Sequence, residues 1–402
     1  MRVQVEKRAI TAPGFRFAGV SCGIKPSGKK DVALIVSDIP GTAAAAFTTN
    51  KAPGAPVVLG KERLKAGRLQ AIVVNSGIAN VATGRTGLRL ARETCTLVSQ
   101  TLGIDEKLVL PQSTGKIGVL PPWDKLQPGV LAACKALSPG GFWHALSGMM
   151  TTDAFPKAAT RQVEINGKAV SIVGMAKGAG MINPNMATML CYVLTDARVE
   201  LTALRKILNH TLTDSFNAIS VDGDTSTSDT VILLANGIAD NREIRSTGRD
   251  FQLLQTSIGE VLRELSRLVV KDGEGATRVV DIFVRGARNA TDAEKVARAV
   301  AYSPLVKTAF YGGDPNWGRI VCAVGNAGAA LNLDKLDIFI GDVPIGRGGI
   351  STGAANEQQA AAVMRAPEFS LTIDLHLGRG AAHVVTSDLT VGYVRFNSAY
   401  ST

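Results

Sequence analysis

Acyl transfer needs a nucleophile, a base to activate it, and donors for the oxyanion. The chain offers few conventional candidates. No GxSxG elbow occurs in its 402 residues, and none of the four histidines (His144, His210, His376, His383) sits in a polar cluster. A Ser-His-Asp triad is therefore not expected. An acyl transferase or hydrolase without histidine needs another base. One solution is a Thr whose own α-amine does that work once the peptide bond before it has been cut. Thr188 is the candidate. It lies in NPNMATMLCYV, directly after a polar Gly/Asn/Pro loop and directly before an apolar run that reads as a strand. A strand-leading Thr presents its hydroxyl at a sheet edge, where a tight loop can strain the carbonyl of Ala187. The same position also suits a purely structural Thr.

Other chemistries find less support. KGAGMI (177–182) lacks the full GxGxxG pattern and no GxxxxGK[ST] occurs, so a nucleotide-phosphate cradle is not expected. SVDGDTSTSDT (220–230) resembles a calcium loop only superficially, because its Gly falls between the first two Asp residues rather than at the sixth position. The cysteines (Cys22, Cys95, Cys134, Cys191, Cys322) are scattered and odd in number, which argues against disulfides and zinc and for buried small hydrophobes. The histidines show no HExxH or HxH spacing, so no metal is expected. The net charge of +10 is spread along the chain in runs no longer than a pair, without aromatic interleaving. Nucleic acid is accordingly not the expected partner, whereas anionic carboxylate substrates suit the charge.

Strands and helices alternate throughout. Residues 31–37 (DVALIVS) and 69–75 (LQAIVVN) read as buried strands. Leu88, Ala91, Cys95, Val98 and Leu102 keep helical spacing, with Gly103 as the stop. Residues 161–175 read as a hairpin around Asn166-Gly167, the favoured type I′ pair. A strand over 189–195 and a helix over 201–213 follow. Phe251, Leu254, Ile258, Val261, Leu265 and Leu268 form one stripe of a long helix that ends at KDGEG, 271–275. Thr291 and Glu294 make a capping-box pattern for the next helix. Phe369, Leu371, Ile373, Leu375 and Leu377 alternate with polar residues, as in a half-buried antiparallel strand. With 46% hydrophobic content and no low-complexity linker, the expectation is one compact α/β or α+β unit of enzyme size. No stretch reaches membrane-span length, and MRVQVEKRAITAPGF carries no apolar signal core, so a soluble cytoplasmic protein without membrane contact is expected.

The stretch MAKGAGMINPNMATMLCYVLTDA (175–197) resembles the self-processing segment of the ornithine acetyltransferase family. Further motifs match that family in order: NSGIANVATG (75–84), STGKIG (113–118), MTTDAFPK (150–157), FNAISVDGDTSTSDT (216–230), VVKDGEGATR (269–278), SPLVKTAFYGGDPNWGRI (303–320) and NSAYST (397–402). The resemblance thus covers essentially the whole chain. It implies a layered sandwich of the self-processing aminopeptidase type, Ntn-hydrolase-like but differently connected. It also implies cleavage between Ala187 and Thr188 into an α chain (1–187) and a β chain (188–402), with an α+β subdomain over about 285–395. By motif, Thr188 is the nucleophile, Thr114 and Gly115 are the oxyanion-hole pair, and Lys177, Glu274, Asn397, Thr402 and one of Thr151 and Thr152, by preference Thr151, contact substrate. The implied reaction carries an acetyl group from N-acetylornithine to glutamate by a ping-pong route. No bound cofactor is implied, although acetyl-CoA is a potential co-substrate, and the assembly implied is a heterotetramer of two α and two β chains. A Thr-dependent amidohydrolase or aminopeptidase is the alternative. Three positions depart from the family pattern: Ile78, Val81 and Lys116.

Overall fold

The computed structural model describes residues 9–183 and 189–399. Their contacts divide the chain into two compact units. One comprises the residues up to 217 together with 224–269, and the other comprises 218–223 with the residues from 270 onward.

In the first unit, β1 (Phe15–Val20), β2 (Val32–Phe47), β3 (Arg68–Ile78), β4 (Val109–Lys116), β5 (Lys157–Ile165), β6 (Lys168–Lys177), β7 (Leu190–Thr195) and β9 (Thr230–Ala235) form one sheet; β8 (Ile219–Ser220) belongs to the other unit. The strand order is β4-β3-β2-β9-β7-β6-β5, with β1 on β2. The continuous apolar runs read from the sequence are strands covered on both faces. Successive residues of β2 and β3 enter opposite cores. Leu34, Val36, Ala71 and Val73 pack with Cys95, Val98, Leu126 and Val130 of two covering helices. Ala33, Ile35, Ile72 and Val74 pack with Phe142, Leu146, Met175 and Tyr192.

The predicted hairpin is β5–β6, and Asn166 and Gly167 both take positive φ (53° and 70°), as a type I′ turn demands. The helix Gly84–Leu102 stops at Gly103, which is left-handed. The long helix is Arg249–Lys271; its stripe is buried from Phe251 to Leu265, but Leu268 is only half-buried and Val269 takes its place.

The second unit holds β10 (Val279–Ala287), β11 (Asp337–Ile340), β12 (Val343–Arg347), β13 (Ile350–Ser351), β14 (Glu368–Asp374) and β15 (Gly380–Ser387), ordered β13-β12-β11-β14-β10-β15-β8. This unit starts before the expected boundary near 285 because β10 is an inner strand of its sheet and β8 pairs in parallel with β15. Two local readings need correction. Asn289, not Thr291, caps the helix Ala290–Tyr302, accepting from the Asp292 amide at 2.9 Å. And β14 runs antiparallel to β11 but parallel to β10, since alternation reports one buried face and says nothing of direction. Each unit is a sheet layered with helices, the mixed α/β architecture expected. Among the described residues no helix is long and apolar enough to cross a membrane.

Candidate active site

The glycine-containing turns at the ends of β3 and β4 have a structural cause. The two strands run parallel, and the pairing shifts register where Gly77 faces Gly115. Gly115 takes φ +125°, and a Cβ there would lie 2.3 Å from the Gly77 carbonyl carbon, so the position admits only glycine. Ser113 Oγ donates to Asn75 Oδ1 (2.5 Å) and Asn75 Nδ2 donates to the Ile78 carbonyl (2.7 Å). The NSG and STG motifs are thereby tied into one rigid turn that presents Thr114.

Lys177, the last residue of β6, reaches that turn. Its Nζ donates to Thr114 Oγ1 at 3.1 Å and to Thr151 Oγ1 at 2.7 Å, and both Lys177 and Thr114 are buried. An ammonium only donates, so the Thr114 oxygen accepts and its own O–H proton is directed elsewhere, polarised by the charge behind it. That is the arrangement a hydroxyl needs to act as an oxyanion donor. Thr151 is the member of the Thr pair that meets Lys177; Thr152 is half-buried beside it.

Thr151 is placed by a residue that the sequence reading did not single out. Asp153 Oδ2 accepts from the Thr151 amide (2.8 Å), and Oδ1 accepts from the Gly178 amide (2.7 Å) and Lys157 Nζ (2.7 Å). Burial alone would raise the Asp153 carboxyl, but the charges of Lys157 and Lys177 outweigh it and hold the group well below the usual carboxylate range. One carboxylate thus fastens the 150–157 turn to the exit of β6.

Ala187 and Thr188 lie outside the described residues. Both flanks of their segment are described and anchored. On one side the Asn183 carbonyl accepts from Thr225 Oγ1 (2.9 Å); on the other the Met189 carbonyl accepts from the Thr230 amide (2.9 Å). Thr48 Oγ1 donates to the Ser226 carbonyl (2.7 Å), Asn50 Nδ2 donates to the Thr225 carbonyl (2.8 Å), and the Gly54 amide donates to the Thr227 carbonyl (2.9 Å). The DTSTSDT run therefore braces the described flanks of that segment, Asn183 and Met189. Among the described residues, no group of three or more His, Cys, Asp or Glu is arranged to hold a metal ion.

The second unit carries Glu274 and Asn397. Asn397 Nδ2 donates to Glu274 Oε2 at 3.1 Å and to the Tyr393 carbonyl at 3.2 Å. The tail is the helix Val391–Ala399, and its grip is not the apolar one that Tyr393, Val394 and Phe396 suggest, since no side chain of this helix is buried. Polar contacts and a close backbone approach hold it. Thr390 Oγ1 donates to the Gly275 carbonyl (2.7 Å), and a Cβ on Gly275, at φ +72°, would lie 2.4 Å from the Tyr393 nitrogen. Asp388 accepts from the Thr277 and Arg278 amides (2.8 and 3.1 Å) and from the Thr277 hydroxyl, fixing the other side of the Glu274 loop. Thr402 lies outside the described residues.

The sequence profile of the ArgJ family matches residues 16–402. The chain belongs to the ArgJ family. It is 46% identical over 393 residues to the arginine biosynthesis bifunctional protein ArgJ of Geobacter sulfurreducens, covering 98% of this chain and 100% of the relative. It is equally identical over 396 residues to the protein of that name from Symbiobacterium thermophilum, covering 98% of each. The crystal structure of the Bacillus halodurans arginine biosynthesis bifunctional protein ArgJ aligns with a TM-score of 0.51 at 38% identity, over 53% of this chain and 100% of that one.

Within this chain, two of the positions that depart from the family pattern have clear surroundings. Val81 is buried, and the Lys116 side chain is exposed at the end of β4. Of the cysteines, Cys95, Cys134 and Cys191 are buried, and burial pushes the Cys95 thiol up to about 12. Asp153 was hidden from sequence reasoning because a buried acid looks the same in sequence as a surface one. Its only signal was the i, i+4 spacing to Lys157 in MTTDAFPK, which is not helical here.

Proposed function

We propose that this ArgJ-family protein, an acetyltransferase of arginine biosynthesis, cuts itself between Ala187 and Thr188 and transfers the acetyl group of N-acetylornithine to glutamate through acetyl-Thr188. The observation that carries the reading is the Lys177–Thr114–Thr151 cluster, with Lys177 and Thr114 buried, in a chain that matches the family over residues 16–402.

Self-cleavage starts with the Thr188 hydroxyl attacking the Ala187 carbonyl carbon. An N→O acyl shift gives an ester, which water hydrolyses, freeing the Thr188 α-amine. That amine, with an unperturbed pKa near ~8, takes the hydroxyl proton during transfer. Acetylornithine acylates Thr188 and ornithine leaves with the proton; glutamate then attacks the acetyl ester. Thr114 Oγ and the Gly115 amide donate to the oxyanion in both half-reactions. Lys177 and Thr151, with Glu274, Asn397 and Thr402, contact the substrates. Acetyl-CoA serves as an alternative acetyl donor, no bound cofactor is needed, and the working assembly is a cytoplasmic heterotetramer of two α and two β chains.

Purified protein should run as two bands, with the second fragment beginning TMLCYV. Thr188→Ala should remain one chain and be inactive. Transfer from acetylornithine to glutamate, run beside acetyl-CoA plus glutamate, reads the activity. An unprocessed chain with full activity would refute the mechanism. Acetate release that ignores glutamate would favour the amidohydrolase.

A further inference from the structure

We propose that Lys25 is a positioning residue of the acetyl-transfer site, clamping the Met150–Thr151 peptide so that the Thr151 hydroxyl stays on Lys177. The proposal rests on the reading of Thr151 and Lys177 as substrate contacts.

Lys25 sits in the loop between β1 and β2. That loop is built around Asp31, fully buried, whose carboxylate accepts from the amides of Cys22 (2.7 Å), Ile24 (2.7 Å) and Lys25 itself (3.1 Å). The backbone of Lys25 is therefore fixed. Its side chain runs past Gly77: a Cβ on that glycine would lie 3.1 Å from Lys25 Cγ. Gly77 is the residue that faces Gly115. The stem of Lys25 thus lies against the turn that carries the candidate oxyanion pair.

The Lys25 ammonium then donates to two carbonyls, Lys30 and Met150, each at 2.6 Å. The Met150 carbonyl belongs to the same peptide group whose N–H, on Thr151, donates to Asp153. That peptide is gripped at both ends, by a cation on its oxygen and an anion on its nitrogen. The orientation of the peptide sets where the Thr151 side chain starts, and Thr151 Oγ1 receives Lys177. Lys25 thereby joins the β1–β2 loop, the Gly77–Gly115 turn and the Thr151 turn through one side chain.

The charged groups acting on Lys25 are Asp31 on its own loop, Lys177 and Asp153 from the site, and Lys29. Burial lowers its pKa first, Lys177 and Lys29 lower it further, and Asp31 and Asp153 raise it in part, leaving it at about 8. The clamp is therefore charged and strong below that pH and weakens as pH rises through it.

The test is steady-state transfer from acetylornithine to glutamate on the processed full-length protein, from about pH 6 to 10, for wild type, Lys25→Met and Lys25→Arg. Loss of a charge-assisted contact should lower kcat/KM for acetylornithine at least about ten-fold in Lys25→Met and abolish the basic limb near pH 8. Lys25→Arg, which stays charged, should recover most activity and move that limb upward. A Lys25→Met enzyme with wild-type kcat/KM, or a Lys25→Arg enzyme with an unmoved basic limb, overturns the proposal. If wild type shows no transfer at all, the functional reading fails, and Lys25 is then judged by NMR titration of its ammonium. A midpoint near pH 8 that rises in Lys177→Met supports the coupling; a midpoint indifferent to Lys177→Met overturns it. If Lys25→Met does not fold by circular dichroism, the Lys25→Arg profile and the titration decide.

Discussion

Replacing Asp153 by alanine tests the site through its stability. Asp153 and Lys157 have no exposed side-chain surface, and their 2.7 Å contact lies wholly inside the first unit. No allowance for solvent screening is therefore needed. Breaking such a pair costs about 3–5 kcal/mol, because the remaining ammonium is buried without its counter-ion. The Phe155 ring, 5.1 Å from Lys157 Nζ, remains in place and sets the expectation towards the lower half of that range. At roughly 2–4 °C per kcal/mol for a unit of this size, the thermal midpoint should fall by roughly 6–16 °C. The pH dependence follows from a carboxyl held below its usual range. Its contribution is complete above the unfolded value near ~3.9 and is lost only as pH falls through the folded value. The gap between wild type and variant should thus be constant from about pH 5 to 8 and narrow in acid. Adding Lys157→Met to Asp153→Ala removes both charges and should restore most of the midpoint. Activity should not follow, because the Thr151 and Gly178 amides still lack their acceptor. The assay is thermal unfolding by circular dichroism beside acetyl-transfer kinetics. A single variant that shifts the midpoint by less than about 2 °C would refute the buried-pair reasoning. A double variant that regains stability and activity together would show that the Asp153 backbone contacts do not organise the site.

Two further outcomes are expected. Thr114→Ala should lower kcat by roughly two to three orders of magnitude while changing acetylornithine binding less, as for a lost oxyanion donor; a loss confined to KM would reassign Thr114 to substrate positioning. Deleting 397–402 should leave a folded protein, since the helix Val391–Ala399 buries no side chain, but should weaken acetylornithine use at least about ten-fold; unchanged kcat/KM in the folded truncation would make the tail an ordinary chain end.

What the sequence reveals and what it hides divide along a physical line. Elements with strong local codes are legible: the Asn166-Gly167 turn, the Gly103 stop, and the apolar runs of β2 and β3 all form where their patterns say. Pairing direction is not coded locally, so β14 reads as antiparallel although one of its neighbours is parallel. The cap is ambiguous in sequence because several polar residues crowd the start of Ala290–Tyr302, and only geometry selects Asn289. Thr114, Thr151 and Lys177 were nominated by family motif alone, from three distant stretches of sequence. The folded chain brings them within hydrogen-bonding distance, although β4 and β6 are not neighbours in the sheet. Asp153 and Lys25 were missed because their roles consist of what they hold, and contacts made by a buried acid or a half-buried lysine leave no periodic trace.

The same device recurs at three loops of this fold. Asp31, Asp153 and Asp388 are each buried, and each accepts hydrogen bonds from two or more backbone amides of one short segment or its neighbour. A buried carboxylate is costly to desolvate, so such a group persists only where fixed donors saturate it. Apolar packing could bury these turns, but it is non-directional and would not fix where an amide or hydroxyl points. Carboxylates bonded to backbone amides do fix it, at 22–25, at Thr151 and Gly178, and at Thr277 and Arg278. The loops that carry Lys25, Thr151 and Glu274 are consequently ordered before any substrate arrives. Small reorganisation at the moment of reaction is the condition under which a few preorganised donors, the role proposed for Thr114, are worth most to a transition state. Neutralising any of the three aspartates should therefore damage turnover more than its distance from the reacting atoms suggests.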